Sequence, residues 1–89
     1  MGRKKSKLTI ERAKEVYKIL LENKDAMTTP QLFNIVLKKS IITEYSILYQ
    51  ILKMLKDKGL VEQTSEKGLA NWEVIKVVDL DTLEKIIST

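Results

Sequence analysis

The spacing Leu48, Ile51, Leu52, Leu55, followed by Gly59 and Leu60-Val61, constrains this chain more than any other feature of its sequence. Apolar residues three, one and three positions apart line one face of an α-helix. The spacing predicts a helix from Thr43, as N-cap, to about Lys58, with Gly59 closing it in the left-handed conformation that a Cβ penalises. Leu60-Val61 then starts a strand inside the same core. A helix running through a glycine stop directly into a buried strand leaves few ways to arrange the neighbouring segments.

Leu60 to Thr64 and Trp72 to Val78 read as the two strands of a hairpin, joined by the polar loop 65–71 with Gly68 near its tip. Trp72 reads as the anchor of this hairpin on the core. Asp79 or Asp81 caps a final helix, 79–88, carrying Leu80, Leu83, Ile86 and Ile87. At roughly nine residues it cannot persist alone in water and must pack on something.

Upstream, Thr9 reads as the N-cap of a first helix, with Ile10, Ala13, Val16, Tyr17, Leu20 and Leu21 at helical spacing up to Asn23. Thr28-Thr29-Pro30-Gln31 forms a capping box, with proline tolerated in the first turn, so a second helix begins there. Its stripe of Leu32, Ile35 and Val36 is joined by Phe33 and Leu37, so the helix needs cover on two sides. Lys38-Lys39-Ser40 ends it. Ile41-Ile42 either pairs as a short edge strand or plugs the turn. The expected fold is mainly α with a small β-hairpin (α+β), in the order α-α-(short β)-α-β-β-α. Residues 1–7 form a flexible basic arm and residues 8–89 a single domain.

The chain has 89 residues, so its core is thin and association with a second copy would help stability. It has no cysteine and no histidine, which removes disulfides, thiolate nucleophiles, imidazole bases and the usual zinc ligands together. Asp79, Asp81 and Glu84 lie close in sequence, but helix capping accounts for them. No enzyme activity, cofactor, metal or small-molecule substrate is expected. No apolar run approaches the roughly 20 residues that cross a bilayer, so a cytoplasmic protein without membrane attachment is expected. The net charge is +4, unevenly spread: residues 1–58 hold 13 basic and 6 acidic side chains, whereas residues 59–89 hold 3 and 6. The N-terminal part, at +7, is the half suited to a polyanion.

The frame Leu48-Tyr49-x-x-Leu52-x-x-Leu55-x-x-x-Gly59-Leu60-Val61 resembles the recognition segment of winged helix-turn-helix transcription regulators. It is similar in particular to the PadR-like regulators and their small archaeal and archaeal-virus relatives, over about residues 8 to 78. The resemblance implies a DNA-binding regulator whose third helix, 43–58, enters the major groove while the wing, 65–71, and the basic arm hold the backbone. Ser46, Tyr49, Gln50 and Lys53 are then the candidate base readers. A glutamine amide pairs bidentately with adenine, and a tyrosine ring suits a thymine methyl. Arg3, Lys4, Lys5, Lys38, Lys39, Tyr45, Lys56 and Lys67 are the candidate phosphate contacts. Double-stranded DNA and a second copy of the chain are the expected partners. An alternative is a winged helix used for protein contact within a transcription, replication or membrane-remodelling complex, favoured by Glu44 at the start of the helix and by the absence of arginine from its outer face.

Overall fold

In the computed structural model, which describes residues 7–23 and 25–88, the elements run α1 (Lys7–Glu22), β1 (Met27–Thr28), α2 (Thr29–Lys38), α3 (Tyr45–Asp57), β2 (Val61–Glu66), β3 (Leu69–Val74) and α4 (Leu80–Ile87). The chain is an α+β fold of four helices and a three-stranded antiparallel sheet in the order β1-β3-β2. Residues 1–6 of the expected basic arm lie outside the described residues, and Lys7 is already the first residue of α1. Thr9 therefore sits within that helix and does not cap it.

The local signals at α2 read true. Thr28 Oγ1 accepts from the Gln31 amide while the Gln31 side chain accepts from the Thr28 amide. Both α2 and α3 close with the same backbone motif. At α2 the Ser40 amide donates to the Leu37 carbonyl and the Ile41 amide to the Val36 carbonyl. At α3 the Gly59 amide donates to Lys56 and the Leu60 amide to Leu55. Gly59 occupies the left-handed position at φ +75°, and Ser40 occupies the equivalent one at φ +58° without a glycine's freedom.

This closure decides between the two fates open to Ile41-Ile42: the pair plugs the turn, and the short strand placed there in the expected element order does not form. The Ile41 amide is committed to the end of α2, and the Ile42 side chain is fully buried as a plug between the helices. The short strand lies before α2 instead. Met27 pairs with Trp72 and Thr28 with Asn71, adding β1 to the free edge of β3. The order is thus α-β-α-α-β-β-α. Helix α3 also starts one residue later than expected. Glu44, not Thr43, takes the N-cap position, and it makes no side-chain capping bond.

The hairpin is tighter than its sequence suggests. The pairing of Glu66 with Leu69 leaves only Lys67 and Gly68 in the turn, with φ of 52° and 80°. Two successive positive φ values are what a two-residue hairpin turn of matching twist requires. Much of the expected loop 65–71 is therefore strand, and β3 ends at Val74 instead of Val78. The segment beyond it is pinned from within: the buried Tyr17 hydroxyl donates to the Lys76 carbonyl at 2.6 Å and accepts from the Val78 amide at 3.0 Å.

One core joins these elements: Val16, Tyr17 and Leu20 of α1, Leu32 and Val36 of α2, Leu48, Leu52 and Leu55 of α3, Leu60, Trp72, and Leu83 and Ile87 of α4. Trp72 is fully buried, and its indole N–H donates to the buried Thr29 hydroxyl at 2.8 Å. The surface that α4 needs is α1. Leu83 and Ile87 face the core, and Lys14 of α1 forms an ion pair with Glu84 of α4. The hydrogen bond from Lys14 to Glu84 raises the lysine pKa above its ordinary value. Asp79 caps α4 by accepting from the Thr82 amide at 2.7 Å, and this bond holds its carboxyl below the usual carboxylate range.

Candidate nucleic-acid interface

Helix α3 has one face fully committed to the core, and its geometry sorts the remaining side chains. At about 100° per residue, Ser46, Gln50, Lys53 and Asp57 fall within about 60° of one another on the side opposite Leu48, Ile51, Leu52 and Leu55. All four are exposed. Ser46, Gln50 and Lys53 make no hydrogen bond or ion pair to any described residue, so their polar atoms are available to an outside partner. Ile47 and Met54, on one flank, are half-buried against the core.

Tyr45, Tyr49 and Lys56 form the other flank, and each is held by the protein. The Tyr45 ring meets the edge of Phe33 on α2 at a centroid distance of 5.4 Å. The Tyr49 ring meets Trp72 at 6.0 Å and 81°. Lys56 donates to Gln63 Oε1 at 3.2 Å, linking α3 to β2. Tyr45 and Tyr49 nevertheless keep 46% and 36% of their surface exposed. Edge-to-face contacts of this kind fix ring orientation at little entropic cost to a later binding event.

The other candidate cations lie apart from this strip. Lys38 and Lys39 are exposed at the end of α2, and Lys67 is exposed at the hairpin tip. Arg3, Lys4 and Lys5 lie outside the described residues. Two acidic side chains of the hairpin, Glu62 and Glu73, lie elsewhere. Gln63 and Trp72 pair across the strands and touch α3, so Glu62 and its partner Glu73, one residue along, project to the opposite face of the sheet. The α3 strip thus carries one cation, Lys53, and one carboxylate, Asp57, beside the neutral Ser46 and Gln50, while Glu62 and Glu73 lie behind the hairpin.

Sequence spacing did not reveal the buttresses. Phe33 belongs to the side of α2 that needs cover, and its cover is Tyr45; nothing local marks Gln63, because its partner is seven residues away in another element. Two clefts, of about 200 and 440 Å³, both adjoin Asn23 and Asp25 and include no α3 residue. Among the described residues no group of three His, Cys, Asp or Glu is placed to hold a metal, and no helix is long and apolar enough to cross a membrane. Compared with known proteins, the chain matches no family model, no curated protein and no solved structure.

Proposed function

We propose that this chain is a non-enzymatic, DNA-binding transcription regulator of the winged helix-turn-helix kind, PadR-like in its arrangement, that works in the cytoplasm as a homodimer. In this reading α2 and α3 are the helix-turn-helix, α3 lies in the major groove, and the β2–β3 hairpin is the wing. The observation that carries it is the strip of Ser46, Gln50 and Lys53, exposed and without a partner among the described residues, on a helix whose other side is buried.

Lys38, Lys39, Lys56 and Lys67, together with Arg3, Lys4 and Lys5, supply the phosphate contacts. The exposed Ile75, Val77 and Leu80, next to the docked α4, are an apolar group suited to a second copy of the chain. Two copies related by a two-fold axis would present their helices to successive major grooves, about 34 Å apart.

The test is a titration of labelled duplexes at several salt concentrations, with light scattering on the free protein. Binding tighter than about 1 μM at low salt is expected, with log Kd against log salt changing by up to about 6 per protomer if all seven cations engage. Glu44 at the N-cap of α3 and the absence of arginine from the exposed face favour a second reading, a winged helix that docks on another protein. Failure to bind any duplex at low salt would replace the first reading with the second.

A further inference from the structure

We infer that the middle of α3 recognises A·T base pairs, with Gln50 taking an adenine and the fixed ring of Tyr49 taking the methyl group of a thymine. This rests on the placement of α3 in a major groove proposed above, and specifies what it reads there.

Discrimination of a G·C pair in the major groove depends mainly on a forked or point cation at guanine O6 and N7. The exposed strip contains no arginine, and its one cation, Lys53, stands almost a turn beyond Gln50. Gln50 carries both a donor and an acceptor on one planar amide, the pattern that matches adenine N7 and N6, and no described residue competes for either. Tyr49 contributes a surface that is apolar and held still. Its ring stands edge-on to Trp72, and Trp72 is itself held by the bond to Thr29. A fixed apolar face suits the one apolar feature of the major groove, the thymine C5 methyl.

Spacing joins the two. Tyr49 and Gln50 are neighbours, separated along the helix axis by about 1.5 Å and around it by about 100°. That rise is less than one base-pair step, so the two side chains address the same pair or adjacent pairs. An A·T pair offers both targets at once, the adenine edge and the thymine methyl. Lys53, about 4.5 Å further along, reaches the next step, where its charge suits a purine N7.

Selection from a pool of randomised duplexes, followed by anisotropy titrations on the selected site, tests this. A consensus with A·T at its central half-site positions is expected. Replacing the contacted adenine by 7-deazaadenine, which lacks the N7 acceptor, should weaken wild-type binding roughly tenfold and leave Gln50→Ala unaffected. Replacing the thymine by deoxyuridine should weaken wild type roughly threefold to fourfold, the worth of one methyl group. Tyr49→Phe should retain that sensitivity and Tyr49→Ser should lose it, with circular dichroism confirming that both fold. A G·C-centred consensus, or a selected site indifferent to both analogues, would overturn the inference and leave DNA binding standing. Absence of any duplex binding would overturn both.

Discussion

Replacing Tyr17 by phenylalanine removes one oxygen atom and nothing else, yet that oxygen holds the connection between β3 and α4. It donates to the Lys76 carbonyl and accepts from the Val78 amide, residues 59 and 61 positions away in sequence. The ring is fully buried, so its packing among Val16, Leu20 and the other core residues is unchanged by the substitution. The effect therefore isolates two hydrogen bonds. Each contributes about 0.5–1.5 kcal/mol net, so Tyr17→Phe is expected to destabilise the fold by about 2 kcal/mol. For a domain of this length that lowers Tm by roughly 8–16 °C. Urea unfolding followed by circular dichroism measures the change, and the m value should be unaltered because the surface exposed on unfolding is the same. Amide exchange locates it, with the Val78 amide losing protection first and α4 following. A loss under about 0.5 kcal/mol, with Val78 still protected, would refute the assignment of this hydroxyl as the fastening of the connection.

Lys67 occupies a left-handed position at the hairpin tip, where asparagine before glycine is the preferred pair. Lys67→Asn is expected to raise stability by about 0.5–1 kcal/mol in thermal melts, by removing part of the left-handed penalty. If the wing grips phosphate, the same change lowers the salt slope of DNA binding by about 0.9. For Asp79, whose carboxyl is held below its ordinary value of 3.8 by the Thr82 amide, the stabilisation is complete above that ordinary value and is lost as pH falls through the lower, folded-state value. Asp79→Ala should lower Tm at pH 7, and the gap between variant and wild type should close in acid below about pH 4. An equal gap at pH 7 and in strong acid would assign the cap no charge-dependent part.

The helices of this protein are written in its sequence, because the bonds and faces that make a helix are local. The spacing of Leu48, Ile51, Leu52 and Leu55, the capping box at Thr28 and Gln31, and the glycine at 59 each act within a turn or two of the chain, and each appears in the fold as read. The exposure of Ser46, Gln50 and Lys53 follows from the same periodicity, as the remainder once the buried face is chosen. Local reading erred where two signals competed over one or two residues, at Thr9 and Thr43, and it left two fates open at Ile41, whose amide goes to a helix terminus instead of a ladder. Tertiary structure alone decided the rest. Met27-Thr28 carries no periodicity, and becomes a strand because β3 offers it an edge; Lys67-Gly68 becomes the whole turn because the strand register places Glu66 opposite Leu69. The same is true of the rings beside the α3 strip. Whether Tyr45 and Tyr49 swing freely or stand fixed depends on Phe33 and Trp72, which reach them from other elements, and no spacing along a single helix encodes a contact that forms only when distant segments pack.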